Sequence, residues 1–486
     1  MFWTAQRRYR LVVIALAASL ALLVLVIQAR LGSDDSFARV QPALHYRIST
    51  APPLPDLPDD YRLAASSESL WCQDRFGAPY LEKARDSAVF FCNDESASRF
   101  TCFLSRTAGS GSERVDAMCH GRRAVFDDSL KRFRLGCDPR PLTPDELDRG
   151  VPRVPDGLPR YWYETGPGTV MDKAVRLDKT AAPGRSQVTT ILVKREGDAN
   201  PWHSLMEIMS LSWSVDLLQM SLDPETNEPF LGPADGATTQ VVLLDGHGYG
   251  PYIDLWRLFA KMPIRRIHEL NASEPVTDII VPFAGGGNTL WQGDWDDLLC
   301  RDSSLVKTFI RRALAHYNVP APVKDDKAVK VTFIRRTTTR KLIDEETHMQ
   351  ALRERVPHIE LTVVDLAAIP FAEQLKVVRG TDLLVGVHGA GLTHLMFLRP
   401  GCAAAVEIIP AGFEHRGFRN LAQMLGVGYL RAHAEMRRGE GSAAAAAAAT
   451  GWQASDVEMD RERLVRLVDH AAKSLYNRGM KSYDVV

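Results

Sequence analysis

The stretch from Lys327 to Ile409 limits the fold of this chain most, because apolar runs of strand length alternate there with stretches of helical period. The runs are Ala328–Ile334, Ile359–Leu366, Thr381–Val387 and Ala403–Ile409. Helical stretches over Glu345–Arg355 and Phe371–Arg379 separate the first three, and Leu392–Leu398 fits the opening turns of a helix. Phe418–Leu425 reads as another helix, with a short strand at Val427–Leu430 after it. Strand and helix in strict alternation require right-handed crossovers and a parallel sheet covered on both faces.

Ligands of such sheets gather beyond the carboxyl ends of the strands. Those ends carry Arg335, Arg336 and Arg340 after the first strand and Asp365 after the second. His388, Gly389, Ala390 and Gly391 follow the third, and Glu407 lies in the fourth. The turn Gly386-Val387-His388-Gly389-Ala390-Gly391 leads a strand into a helix start, where free backbone N–H groups suit a phosphate. Arginines and a glycine-rich turn on one rim make a diphosphate site, beside which a carboxylate can hold ribose hydroxyls.

The amino terminus sets the expected compartment. Arg7, Arg8 and Arg10 precede an unbroken apolar or small-residue run, Leu11 to Ile27, whose helix would rise about 25 Å. The basic cluster before it predicts a cytoplasmic amino terminus with the remainder luminal; a cleaved signal peptide is the alternative. A proline- and aspartate-rich stem follows to about Asp60. Cys72, Cys92, Cys102, Cys119 and Cys137 fall in one segment, as expected of a disulfide-braced luminal piece. Being odd in number, they leave one to pair with Cys300 or Cys402 or to stay free. Asn271-Ala272-Ser273 is a glycosylation sequon. A formal net charge of −1 carries no electrostatic footprint for nucleic acid.

Between these ends, Val188–Lys194, Val241–Leu244 and Ile279–Val281 read as strands, and Trp202–Met220 and Leu305–His316 as helices. Asp456–Tyr476 is helical by period, and Ala443–Ala449 is low complexity. Asp294-Trp295-Asp296 has the form that some transferases use to hold a metal against a diphosphate, but in a turn-rich QGDWDD stretch it reads first as a solvated loop.

Asp382 to Leu398, DLLVGVHGAGLTHLMFL, resembles the signature of glycosyltransferase family 61 nearly residue for residue. Glu407, Phe371-Ala372-Glu373-Gln374-Leu375, Arg335 and Arg340-Lys341 fit the same family pattern. Weaker echoes are Asn200-Pro201-Trp202-His203 with Glu207, Asp245, and Gly248-Tyr249-Gly250 with Trp256. The resemblance implies an α/β, GT-B-like fold of two Rossmann-type domains. The chain then divides into a tail (1–10), a transmembrane anchor (11–27), a stem (28–60) and a cysteine-containing luminal segment (61–160). An acceptor-side α/β domain (161–325) and a nucleotide-sugar domain (326–486) complete it.

The implied reaction is an inverting displacement that moves a sugar, N-acetylglucosamine from a UDP donor first among them, onto a protein hydroxyl. Pentosyl transfer to a glycan and a catalytically silent luminal scaffold are the alternatives. The compartment implied is the Golgi or endoplasmic reticulum, with the anchor in the membrane. Arg335 and Arg340 are expected to clamp the diphosphate, with His388 and the amides of Gly389, Ala390 and Gly391 beside it and Glu407 on the ribose. Such donors are commonly used without a cofactor or metal, although the D-x-D leaves a divalent ion open. For the base, His203 and Glu207 share one helical face, and Asp245 closes a strand.

Overall fold

The computed structural model of the protein describes residues 58–61, 68–109, 112–181, 184–320, 328–437, 453 and 455–476, and they are built on two sheets. The first holds β1 (Val89–Phe90), β2 (Arg99–Gly109), β3 (Ser112–Asp127), β4 (Arg132–Leu135), β5 (Val175–Leu177), β6 (Val188–Val193), β7 (Thr239–Leu243), β8 (Arg265–Arg266) and β9 (Thr277–Val281). Its order is β1-β2-β3-β9-β6-β7-β8, with β4 and β5 branching from β3. From β9 to β8 the neighbours are parallel, while β3 joins β9 antiparallel with His120 opposite Ile280. The cysteine-rich front segment, expected as a separate piece, is thus an extension of this sheet, and residues 54–486 form one compact unit.

The bridges join Cys72 to Cys300, Cys92 to Cys137, and Cys102 to Cys119, which face each other across β2 and β3. Cys402 is exposed and unbridged.

The second sheet holds β10 (Val329–Ile334), β11 (Ile359–Val364), β12 (Leu383–Val387), β13 (Ala404–Pro410), β14 (Gly428–Arg437) and β15 (Asp456–Glu458), in the order β11-β10-β12-β13-β14-β15. The first five are parallel, and β12 and β13 are buried along their whole length, as strands covered on both faces must be. Helices Glu345–Arg355 and Arg461–Tyr476 cover one face through Met349, Leu352, Leu464 and Val468. On the other face, helices Phe371–Arg379 and Gly417–Met424 share a core with helix Pro201–Gln219 beneath the first sheet.

That long helix is apolar nearly all round, as a helix enclosed by two sheets must be. Each fully buried Leu, Ile or Met along it contributes roughly 1.5–3 kcal/mol. Asn200 caps its first turn, accepting from the amide of Trp202 at 3.0 Å, with Pro201 at the first helical position.

Two expected elements differ. Ala390–Phe397 winds as a 3-10 helix, whose three-residue turn puts Leu392 and Leu395 in one line, and it is buried from Leu392 onward. Asp456–Glu458 is an edge strand antiparallel to β14, and the terminal helix begins only at Arg461. Among the described residues no helix is long and apolar enough to cross a membrane. The expected anchor Leu11–Ile27, the stem up to residue 57 and the alanine run lie outside the described residues.

Candidate active site

Strand order reverses between β10 and β12, since β11 lies on the far side of β10, and a cleft opens at that switch point. Ile334 at the end of β10 pairs with Gly386, two residues before His388. Arg336 and Arg340 come down over the turn that follows. A Cβ added to Gly389 would lie 2.6 Å from Arg336 Nη1 and 3.2 Å from Arg340 Cζ, and φ there is +154°. Glycine is therefore required twice, for space and for conformation. Arg340 sits at φ +56°, a left-handed conformation that the surrounding packing has to hold. Burial, with the neighbouring Arg336 charge, pushes the Arg340 guanidinium down to about 10, and burial lowers Arg336 too. Two cations crowded on one glycine turn make a place that favours an anion. The amides of Ala390 and Gly391 open the 3-10 helix, where the helix itself supplies no acceptor.

His388 is buried beside this turn, its Nδ1 2.5 Å from Oε1 of Glu407. The hydroxyl of Tyr429 donates to the other oxygen of Glu407. Burial pulls the imidazole below its ordinary value, against the raising effect of Glu407. The ring is therefore neutral and fixed in orientation. Glu407, expected on the ribose, is only 1% exposed with both oxygens engaged; it orients His388 from behind. Arg335, expected as a clamp, does not line the cleft. Its Nε donates to Glu345 at 2.6 Å and its Nη2 to Glu346 at 3.0 Å, because those carboxylates open the next helix.

The opposite wall is the first turn of helix Pro201–Gln219. His203 lines the cleft, stacked on Trp291 at 4.6 Å and flanked by Tyr163 at 5.6 Å. Its Nδ1 lies at ion-pair distance, 2.8 Å, from Oε2 of buried Glu196, without hydrogen-bond alignment, and Nε2 is the other ring nitrogen. Glu207, expected on the same face, is instead buried one turn deeper, against a cavity of about 30 Å³ at the ends of β6 and β9. Its Oε1 accepts from the Glu196 amide at 2.8 Å, and burial raises its carboxyl well above the usual range. Asp245 does not reach the cleft either. Arg195 grips it at 2.8 and 3.2 Å, and the amides of Arg195 and His247 each donate at 3.0 Å. Burial works to raise Asp245, yet the Arg195 contacts outweigh it and hold the carboxyl below its ordinary value.

The two walls enclose a cleft of about 840 Å³ that brings Arg340, His388, Gly389 and Ala390 to face His203. Asp294 lines it as well, paired with His415 Nε2 at 3.2 Å. Among the described residues, the one group of three His, Cys, Asp or Glu side chains close enough to share an ion is Glu68 with Cys72 and Cys300, and that cysteine pair is bridged. Asn271 is exposed in a turn, its Oδ1 accepting from the Ser273 amide at 2.9 Å. Glu196 and Tyr429 carry no motif; only the fold places them behind the two histidines.

Residues 240–405 match the family model described as Glycosyltransferase 61. The EGF domain-specific O-linked N-acetylglucosamine transferase of Mus musculus is 34% identical over 255 residues, which is 50% of this chain and 44% of that protein. The protein of the same name from Canis lupus familiaris gives the same figures, and that of Drosophila melanogaster is 25% identical over 249 residues, 49% of this chain and 44% of that protein. The chain therefore spans less than half the length of the curated relatives it matches. The matched residues contain Arg336, Arg340, His388 and the glycine turn, while His203 and Glu196 precede them. The likeness to glycosyltransferase family 61 thus rests on residues 240–405 and on the half of the chain that aligns with these transferases.

Proposed function

We propose that the chain moves a sugar from a UDP-sugar, UDP-N-acetylglucosamine being the first candidate, onto a Ser or Thr hydroxyl of a protein by a single inverting displacement. The observation that carries this reading is one cleft with an arginine-lined glycine turn on one wall and a carboxylate-held histidine on the other. In this reading the two sheets are the halves of a GT-B-like enzyme. The donor diphosphate lies on Arg336, Arg340 and the amides of Ala390 and Gly391. His203 Nε2 takes the acceptor proton as the hydroxyl oxygen bonds to the anomeric carbon, and the bond from that carbon to the diphosphate breaks. The developing negative charge stays on UDP, stabilised by the guanidiniums and backbone dipoles. No metal enters these steps.

The names of the relatives support N-acetylglucosamine and a protein acceptor. The three disulfides favour an oxidising lumen, with residues 11–27 as the membrane anchor. The test is UDP release by the full chain from a panel of UDP-sugars, with Arg340→Ala as control. UDP at ~100 times its dissociation constant should stabilise the wild type by about 2.7 kcal/mol. Absence of any shift with nucleoside diphosphates overturns the reading.

A further inference from the structure

Two polar atoms in the cleft wall have no hydrogen-bond partner among the described residues, and they belong to side chains that pack together. They are Nε1 of Trp202 and Nδ1 of His415. The two rings meet edge to face, with centroids 6.3 Å apart, and both residues line the cleft. Leaving such an atom unpaired is unfavourable, so a pair of them on one wall calls for a reason. His415 Nε2 faces the Asp294 carboxylate, and in the tautomer that donates there Nδ1 is an acceptor. The indole nitrogen is a donor only.

The surroundings complete a pocket. Trp295 is 57% exposed and meets His415 edge-on at 5.4 Å. His388 lies 5.0 Å from His415, so the patch adjoins the anion site.

We propose that Trp202, His415 and Trp295 form the subsite for the transferred sugar. Trp295 offers a flat apolar face to the pyranose ring. The donor and acceptor on Trp202 and His415 read one ring substituent that itself both accepts and donates, a hydroxyl or a secondary amide. Both atoms are shielded from solvent, so a ring substituent reaches them only as the cleft wall rearranges around it. Asp294 then serves by fixing the tautomer of His415. The inference rests on the reading that the donor diphosphate lies on Arg340 and Gly389, which places the attached sugar beside His388.

Calorimetric titration of the full chain with UDP, UDP-N-acetylglucosamine and UDP-glucose tests it. Trp202→Phe keeps the aromatic ring and removes the N–H. It should weaken sugar-nucleotide binding by about tenfold, the loss of one hydrogen bond, while UDP binds as before. A loss confined to UDP-N-acetylglucosamine assigns the amide; a loss with both sugars assigns a hydroxyl. Trp295→Ala, at an exposed side chain, should lower the same ratio and decides the matter where Trp202→Phe lowers Tm. Sugar-to-UDP affinity ratios unchanged in both variants overturn the subsite. A wild-type chain that binds none of the three nucleotides overturns the donor reading, and the subsite with it.

Discussion

At the scale of single residues, the site depends on groups whose chemistry is set by what stands behind them. Gly389 has no room for a methyl group beneath Arg336 and takes a φ that L-residues avoid. Gly389→Ala should cost roughly 1–3 kcal/mol of stability and displace the guanidiniums from the turn. Thermal melts with and without UDP would register both effects, and an unaltered UDP-induced shift would remove the turn from the donor site. Glu207 makes a second case. Its carboxyl is held neutral by burial, so glutamine mimics the form present, and Glu207→Gln should retain activity near that of the wild type. Its raised value also fixes a sign. Above the ordinary 4.5 the unfolded chain binds fewer protons than the folded one, so this group erodes stability as pH rises, by at most about 1.36 kcal/mol per unit. The stability of Glu207→Gln relative to wild type should therefore grow with pH above that point. A near-complete loss of activity in the variant would return Glu207 to the list of bases.

At the scale of elements, Cys72–Cys300 ties helix Leu70–Phe76 to the loop before helix Ser304–His316, closing 228 residues of sequence. In the chain-entropy picture a loop of that length is worth about 5 kcal/mol. Cys72→Ser with Cys300→Ser should lower Tm by several degrees, while Cys402→Ser, at an exposed unbridged thiol, should leave it in place. The pairing itself was beyond what spacing can reveal, because it depends on a long-range fold. Local period told more: helices Glu345–Arg355 and Phe371–Arg379 lie where their patterns place them. The 3-10 helix Ala390–Phe397 escaped because a segment buried on every side has no amphipathic period to read. The edge strand Asp456–Glu458 is too short to show alternation, and its pairing with β14 is non-local. The joining of β3 to β9, in which Cys119 pairs with Val281, was hidden for the same reason.

At the scale of the whole molecule, the cleft unites two histidines of similar construction and different duty. His388 and the glycine turn were legible because a strand, a turn and a helix start are adjacent in sequence. The partition among His203, Glu207 and Asp245 was not, since it depends on which carboxylates the fold has already committed to Arg195 or to a backbone amide. His203 stands with Glu196 on the wall across from the anion site, so its removal should spare donor binding and abolish proton removal. His203→Ala should lower kcat for transfer by roughly 10²–10⁴-fold with UDP affinity unchanged. His388→Ala acts on the donor side and should weaken binding of the UDP-sugar as well. Glu196→Gln keeps the shape and withdraws the carboxylate 2.8 Å from Nδ1, so it should lose part of the His203 effect. Combining His203→Ala with Glu196→Gln should cost no more than His203→Ala alone, because the carboxylate acts only through that ring. Losses that simply add across the pair would mean that the two residues serve the cleft separately and that the base lies elsewhere.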